Sequence, residues 1–144
     1  MKALFFICDQ YQAFNIKRSY HVKSCLKSSF KGRLEKMEGC IGVFITVEKE
    51  DKTSDKKRLL KDIYKFSKEH KLKKVLVAPF SHLSSQLASS KKAIYFISGI
   101  ESDLINEGFN VERSSFGYHK NLLLSVSGTN NNIMWRSYSH GDSF

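Results

Sequence analysis

Short apolar runs alternate along this chain with two longer segments of helical periodicity, and this alternation limits its fold more than any other feature. The clearest run, 40–48 (CIGVFITVE), is β-branched and aromatic, which is typical of a buried central strand. The segment 54–70 instead places its apolar residues on one face of a helix and its lysines on the other, with Ser54 as the expected N-cap. Helices that bury one face against a sheet are therefore expected.

Other segments complete this pattern. A second amphipathic helix is expected over 90–107, closed by Gly108, because glycine readily adopts the positive φ that ends a helix. The pair Asp9–Gln10 is interpreted as the tight turn of a hairpin, and the basic, serine-rich stretch 18–38 as an irregular excursion. Strands are predicted at 2–8, 11–17, 40–48, 74–80, 109–112, 119–127 and 133–139. This order predicts an α/β (α+β) fold, a mixed sheet with two main helices.

The chain has the length and composition of one globular domain. Its 144 residues include a single proline and no Gly- or Ser-rich linker, so residues 1–144 are expected to form a single domain. The 41% hydrophobic content is enough to bury a core, and no run approaches the ~18 apolar residues of a membrane span. The first residues lack the long apolar stretch and cleavage site of a signal peptide. We therefore expect a cytoplasmic protein with no membrane partner.

Positive charge is in excess, since 24 Lys and Arg face 14 Asp and Glu, which gives a formal net charge of +10. The excess indicates a polyanionic partner, with nucleic acid first and acidic lipid second. A lysine-rich solvated surface would carry the same charge. Charge alone therefore leaves both interpretations open.

The sequence lacks the motifs that hold metals and nucleotide cofactors. It contains no Cys-x-x-Cys pair, GxGxxG, Walker A loop or HExxH, so no cofactor and no metal is expected. Cys8, Cys25 and Cys40 are too few and too scattered for a disulfide framework. Cys8 and Cys40 lie in or beside apolar runs, where a free cysteine usually acts as a small core residue.

A polar loop, 79–85 (PFSHLSS), follows the predicted strand 74–80. Loops at the carboxyl ends of strands are where α/β sheets usually build sites. If Ser81 and the residues after it begin a helical turn, their N–H groups form a cradle for an anion or oxyanion. In the alternative, Ser84 caps a helix and His82 makes a local hydrogen bond.

A second polar cluster, 115–120 (SFGYHK), precedes a leucine-rich strand. Gly117 permits a sharp bend, and Tyr118, His119 and Lys120 follow it at the entrance of the strand. Lys120 is a candidate cation beside a developing oxyanion, or a group that holds a water molecule. The alternative is an edge-strand lysine that blocks aggregation.

Three stretches resemble the archaeal-type editing domain of threonyl-tRNA synthetase, which shares the fold of D-aminoacyl-tRNA deacylase. They read GVFITVEKEDK, KVLVAPFSHLSSQLA and EGFNVERSSFGYHK, and the PF-x-HLSS and FGY-x-K motifs are specific. The resemblance runs from Met1 to about Ser127 and is poor after Gly128. It implies a D-aminoacyl-tRNA deacylase-like fold and hydrolysis of serine wrongly attached to threonine tRNA, by a homodimer without metal. It also implies a threonyl-tRNA synthetase catalytic subunit or domain as a partner.

The resemblance also implies roles for individual residues. Lys120 matches the lysine that helps to place the attacking water. His82 is the other residue expected to act in catalysis, and it is also expected to line the aminoacyl pocket, where with Pro79 it forms the wall that excludes threonine. The expected substrate-binding residues are Val47 (through its main chain), Pro79, Phe80, Ser81 and His119 at the aminoacyl pocket, and Phe116, Gly117 and Tyr118 at the adenosine end. A synthetase that accepts threonine cannot strongly reject serine, because one lost methyl group is worth only about 1–3 kcal/mol of discrimination. A second pocket is therefore needed that hydrolyses the smaller, serine-bearing product.

One departure from the family concerns a carboxylate. Members of the family carry a functional Glu near the C-terminal strand, whereas 129–133 in this chain reads TNNNI. No carboxylate is expected there, so either an asparagine or a water molecule takes over its role, or the role is dispensable.

Two rival functions stay open at this point: a D-aminoacyl-tRNA deacylase, and a catalytically silent tRNA-binding module. In each case basic stretches are the expected contacts with the acceptor arm of tRNA, on charge alone. The lysines of 52–61 lie opposite the apolar face of a helix, where solvent is at least as good a partner. In the stretch 17–33 the expected tRNA-binding residues are Lys23, Lys27, Lys31 and Arg33.

Overall fold

The sheet of this protein is mixed and carries two helices, as the sequence predicts. The computed structural model describes residues 1–19 and 32–138. The elements in these ranges are β1 (Lys2–Arg18), β2 (Leu34–Thr46), α1 (Thr53–His70), β3 (Lys74–Pro79), α2 (Ser90–Asn106), β4 (Asn110–Arg113), β5 (Tyr118–Val126) and β6 (Ile133–Ser137). The strand order is β4-β3-β2-β1-β5, and β6 also pairs with β1. β3 is parallel to β2 and β4, whereas β1 is antiparallel to each of its partners.

β1 is one continuous strand, so the prediction of a hairpin turn at Asp9–Gln10 is wrong. Its antiparallel partners are β2 on one edge and, on the other, β6 for its first residues and β5 for the rest. The register with β5 shifts between Cys8 and Gln10, which is a bulge at Asp9. A two-residue hairpin needs residues that adopt positive φ readily, and Asp-Gln does not supply them, whereas a bulge needs one extra residue.

β2 begins at Leu34, so the predicted irregular excursion up to residue 38 is wrong in its last part. Glu35 and Met37 are buried, while Leu34 and Lys36 are exposed. This alternation has the period of a strand, but an inward glutamate and an outward leucine reverse the usual polarity. Residues 20–31, in the middle of that stretch, lie outside the described residues.

The helices begin and end close to their predicted limits. Lys52, rather than Ser54, is the N-cap of α1, and the Asp55 carboxylate accepts the Lys52 N–H at 2.8 Å. Ser89 caps α2, and Gly108, with φ +88°, follows the end of α2 as expected. Neither helix in the described ranges is long and apolar enough to cross a membrane.

Two apolar clusters lie on opposite faces of the sheet, since successive residues of β2 and β3 alternate between them. The larger cluster packs the sheet against the helices. Its helical members include most of the predicted apolar faces, namely Leu59, Leu60, Ile63, Phe66, Ile97, Ile100 and Leu104. Two further apolar residues at the helical spacing of α2, Ile94 and Ile105, do not belong to the cluster, and Ile105 is exposed. The smaller cluster contains Cys8 and Cys40, which are buried as predicted.

Candidate active site

A cleft of about 560 Å³ lies where β2 and β3 end and β5 begins, with α2 along one side. The carboxyl ends of parallel strands meet at one edge of a sheet, and the loops that leave them are free to build a site. The residues expected to act in catalysis or substrate binding all line this cleft: Val47, Pro79, Phe80, Ser81, His82, Phe116, Gly117, Tyr118, His119 and Lys120.

The loop after β3 is fixed to the end of β2 by hydrogen bonds. The Thr46 hydroxyl donates to the Phe80 carbonyl oxygen and accepts the Leu83 N–H at 3.3 Å. The Phe80 N–H donates to the Ile45 carbonyl oxygen at 2.9 Å. No helical turn begins at Ser81, because the next helix is α2. This wall of the cleft is therefore main chain held by a strand, rather than the helical cradle that the loop could have formed.

Ser84 does not cap a helix. Its hydroxyl donates to the Glu48 carboxylate and accepts the Gln86 N–H at 3.0 Å, which closes the loop on itself. His82 is exposed, and its ring packs edge-on against the Phe80 ring with centroids 4.9 Å apart. The His82 imidazole therefore packs against the Phe80 ring at the wall of the cleft.

Apolar side chains and main chain form much of the cleft. The Phe44 ring packs against the Phe80 ring, with centroids 5.4 Å apart, and edge-on against the Tyr11 ring at 6.5 Å. Val47 is buried, and its carbonyl oxygen accepts the Ala88 N–H at 3.0 Å. Backbone contacts through Val47 thus connect the end of β2 to the segment that precedes α2.

The loop before β5 makes the bend that Gly117 predicts. Gly117 has φ +80°, a conformation that disfavours any residue with a Cβ. Its carbonyl oxygen accepts the Ser19 N–H at 2.7 Å. Tyr118 and His119 follow as the first residues of β5, opposite Arg18 and Lys17 of β1.

Lys120 is a charged residue that lines the cleft. Its side chain is 15% exposed, so it is not the solvated edge lysine of the alternative interpretation. Nζ donates to the Ser115 carbonyl oxygen at 2.6 Å and to the Ser114 hydroxyl, and it lies 3.6 Å from Glu35 Oε2. Burial lowers the pKa of Lys120 from its ordinary value, while the Glu35 charge acts in the opposite direction.

Glu35 is the residue at this site that sequence reasoning missed. It is 2% exposed, and its carboxylate accepts the Ser114 hydroxyl at 2.6 Å and the Ser115 N–H at 2.9 Å. Burial alone would raise the pKa of Glu35, but these hydrogen bonds and the Lys120 charge hold it below its usual value. The sequence gives no local signal for it, because 34–38 (LEKME) shows no period-two alternation of polarity, and the strand alternation appears only in the burial of these residues.

The asparagine-rich segment 129–133 does not reach the cleft. The Asn132 carbonyl oxygen accepts the Ile7 N–H at 2.9 Å, and Asn131 Nδ2 donates to Glu69 at 2.8 Å. None of the residues 129–133 lines the cleft, so within this chain none of the three asparagines replaces a carboxylate there.

The expected tRNA-binding residues are only partly placed by the structure. Arg33 is half-exposed outside the cleft, with its guanidinium 3.6 Å from the Glu112 carboxylate. Lys23, Lys27 and Lys31 lie outside the described residues. In the ranges 1–19 and 32–138, no group of three or more His, Cys, Asp or Glu side chains is arranged to hold a metal ion.

The strand order and the two helices define an α+β domain with a D-aminoacyl-tRNA deacylase-like fold. Its fold is similar to that of c-Myc DNA Unwinding Element Binding Protein, with a TM-score of 0.70 at 10% sequence identity over 95% of this chain and 98% of that one. The family model for the archaea-specific editing domain of threonyl-tRNA synthetase matches residues 1–137. The chain belongs to this family, which confirms the resemblance seen in the sequence.

Individual relatives are longer proteins named threonine–tRNA ligase. Threonine–tRNA ligase of Thermococcus onnurineus is 41% identical over 101 residues, and that of Thermococcus sibiricus 39% over 101 residues. The ligase of Methanocaldococcus jannaschii is 34% identical over 103 residues. These matches cover 68–69% of this chain but 16% of each relative, so the chain spans a small part of the length of these proteins.

Proposed function

We propose that this chain proofreads threonine tRNA by hydrolysing serine wrongly attached to it. Membership of the editing-domain family supports the reaction class. The observation that carries the site assignment is the largely buried ammonium of Lys120. Among the described residues that line the cleft, Lys120 is the only Lys, Arg, Asp or Glu. A single cation in apolar and main-chain surroundings suits a reaction that develops one negative charge.

In the proposed reaction a water oxygen attacks the carbonyl carbon of the seryl ester. The bond between that carbon and the ribose oxygen of the terminal adenosine breaks, and a proton passes to that oxygen. The products are serine and tRNA with a free ribose hydroxyl. The ester is already activated, so placement of the water and stabilisation of the oxyanion supply the rate.

Lys120 and the 2′-hydroxyl of the terminal adenosine orient the water in this proposal. An ammonium has three N–H donors. Among the described residues, the Ser115 carbonyl and the Ser114 hydroxyl take two of the donors of Lys120, and Glu35 Oε2, at 3.6 Å from Nζ, is too far for an ordinary hydrogen bond. We assign the third donor to the water or the oxyanion. The two serine contacts also fix the direction of the remaining donor.

Selection against threonine depends on the wall formed by the loop after β3. The main chain of Pro79 and Phe80, held by Thr46, is more rigid than a flexible side chain, and His82 is carried on the Phe80 ring. A wall of this kind excludes the additional methyl group of threonine sterically. The remaining expected contacts, through Ser81, Phe116 and Tyr118, stay predictions about how the acyl and adenosine groups lie.

One experiment compares hydrolysis of seryl-tRNA(Thr), threonyl-tRNA(Thr) and a D-aminoacyl-tRNA under single-turnover conditions. We expect release of serine well above the uncatalysed rate, with threonyl-tRNA(Thr) largely spared. Hydrolysis of the D-aminoacyl-tRNA alone would identify the rival deacylase. Binding of tRNA with no hydrolysis of any of the three would identify the silent binding module.

The partners and location implied by the resemblance remain predictions. These are a homodimer, a threonyl-tRNA synthetase catalytic subunit or domain, and the cytoplasm, where aminoacyl-tRNA is made. Sedimentation equilibrium of the chain, alone and with a threonyl-tRNA synthetase that lacks its own editing domain, tests the first two.

A further inference from the structure

We propose that Glu35 is a positioning residue, whose carboxylate holds the two groups that present the Lys120 ammonium to the cleft. The inference rests on the proposed function for the chemistry that Lys120 serves. The contacts that define it are independent of that function.

Glu35 is too deeply buried to be an incidental charge. It lies on β2 opposite Ala13 of β1 and is 2% exposed. A carboxylate in such a place is costly unless it is paired and hydrogen-bonded. Both of its oxygens have partners, because Oε2 accepts the Ser114 hydroxyl and Oε1 accepts the Ser115 N–H.

The direction of each hydrogen bond follows from the proton count at Ser114. A serine hydroxyl has one proton and two lone pairs. An ionised Glu35 can only accept, so Ser114 gives its proton to Glu35. The Ser114 oxygen then accepts from Lys120 Nζ on one side and from the Tyr11 hydroxyl, 2.9 Å away, on the other.

Glu35 therefore contacts both residues that hold Lys120. The Lys120 ammonium is bound by the Ser114 hydroxyl and the Ser115 carbonyl, and each of these serines is itself bound by the Glu35 carboxylate. The carboxylate also attracts the ammonium directly across 3.6 Å. Loss of the Glu35 charge would loosen both supports at once and remove the attraction.

Other charged groups near Lys120 oppose or modify this effect. The Arg33 guanidinium, just before β2, lowers the pKa of Lys120, as burial does more strongly. Tyr11 of β1 faces the site through Ser114 and stays neutral, since burial raises its pKa to about 12. Glu35 is thus the anion that counters these influences, because its charge raises the pKa of Lys120.

The first test compares Glu35→Gln with Glu38→Gln, an exposed glutamate on the same strand. We expect Glu35→Gln to lower the single-turnover rate on seryl-tRNA(Thr) about tenfold at neutral pH. The alkaline limb of its pH–rate profile should move to lower pH, because Lys120 loses its proton more easily. Glu35→Asp should restore part of the rate, and Glu38→Gln should behave as the unmodified protein. An unchanged rate and an unchanged alkaline limb in Glu35→Gln would overturn the proposal.

A second measurement uses the unmodified protein, so it does not depend on whether a variant at Glu35 folds. In the unmodified protein labelled with ¹⁵N-lysine, a held Lys120 ammonium exchanges its protons with water more slowly than exposed lysines do. Lys120→Arg assigns the signal, because it removes that resonance. Exchange as fast as that of exposed lysines would show that Lys120 is not held, and the inference would fail.

Failure of the inference and failure of the proposed function give different results. If the unmodified protein does not hydrolyse seryl-tRNA(Thr), the proposed function is wrong, while Lys120 exchange that is slow in the unmodified protein and faster in Glu35→Gln still supports the Glu35 contacts. If hydrolysis occurs and Lys120 exchanges rapidly, the function stands and the positioning role of Glu35 is rejected.

Discussion

The Lys120 ammonium lies 2.6 Å from the carbonyl oxygen of Ser115, a residue of the loop that leads into its own strand. The Lys120 side chain, which extends from β5, therefore reaches back to the preceding loop and fixes it at one wall of the cleft. Charge and loop shape at this site depend on the same side chain. Substitutions at position 120 are thus a direct way to test the proposed chemistry.

Lys120→Met should lower the rate of seryl-tRNA(Thr) hydrolysis by about 100-fold, since loss of one donor to a developing oxyanion typically has an effect of this size. Single-turnover release of serine measures the change, on protein whose circular dichroism shows that it is folded. Lys36→Met, at an exposed position of β2, is the matched control and should keep the full rate. Full activity of Lys120→Met would show that this lysine does not place the water.

Thr46→Val should destabilise the protein by about 1–3 kcal/mol, because a nearly isosteric side chain leaves the Phe80 carbonyl and the Leu83 N–H without their partner. Urea unfolding measures the difference in the free energy of unfolding. Thr53→Val, at the exposed start of α1, should change this free energy by less than about 0.5 kcal/mol. Equal effects of the two substitutions would show that the loop after β3 is not fixed through Thr46.

His82→Ala should relax discrimination between the two acyl groups. The imidazole packs on Phe80 at the wall of the cleft, so its removal opens space for the methyl group of threonine. We expect the ratio of threonyl-tRNA to seryl-tRNA hydrolysis to rise about tenfold, in line with 1–3 kcal/mol for one methyl group. A ratio that stays constant while both rates fall would assign His82 to catalysis and not to selection.

Tyr11 makes a testable contribution to stability at alkaline pH. Burial raises its pKa to about 12, while an unfolded tyrosine loses its proton near 10. Between these values the native state binds more protons than the unfolded state, so stability falls as pH rises. The fall due to Tyr11 is about 2–3 kcal/mol between pH 9 and pH 12.

Tyr11→Phe should therefore lose less stability between pH 9 and pH 12 than the unmodified protein, as measured by urea midpoints. Near neutral pH the variant should be less stable by about 1 kcal/mol, because its hydrogen bond with Ser114 is gone. Tyr95→Phe is the control, since Tyr95 is 76% exposed. Parallel pH curves for Tyr11→Phe and Tyr95→Phe would contradict the prediction.

Simultaneous replacement of Lys23, Lys27 and Lys31 by Glu should weaken tRNA binding and flatten its dependence on salt, because fewer counterions are released from the phosphates. Filter binding between 50 and 200 mM salt measures both quantities. Affinity that is unchanged at low and physiological salt would remove this segment from the tRNA interface.

The matched control is the exposed face of α1, where the same charge reversal is made at Lys57, Lys61 and Lys65. These lysines lie opposite the buried face of the helix. We expect them to contribute less to tRNA binding than the first set does. A larger loss from the α1 set would transfer the interface to that helix.

The sequence predicts those parts of the fold whose signal is local. β3 and the core of β2 follow from β-branched runs, and α1 follows from the spacing of its apolar residues. The two polar loops of the cleft were found because each departs from the core pattern beside a strand.

The parts that the sequence did not predict depend on distant partners. The buried Glu35 carboxylate is stabilised by residues that are distant in the sequence. Ser114 and Ser115 donate hydrogen bonds to it, and Lys120 supplies the opposite charge. The continuity of β1 across Asp9 likewise depends on β2 and β5, which pair along both of its edges. Neither the burial of Glu35 nor the continuity of β1 across Asp9 is indicated by the neighbouring residues. From the sequence alone, a polar residue within a strand is therefore interpreted as part of a loop or a turn.

The central place of β1 affects which parts of the protein are able to fluctuate. β1 is hydrogen-bonded to β2 along one edge and to β5 and β6 along the other, so separation of either edge disrupts the ladder that supports the whole sheet. Amide protons along β1 should therefore exchange with solvent only through global unfolding. Structural adjustment at the cleft is then confined to the loops that border it, while the strands that carry those loops stay rigid.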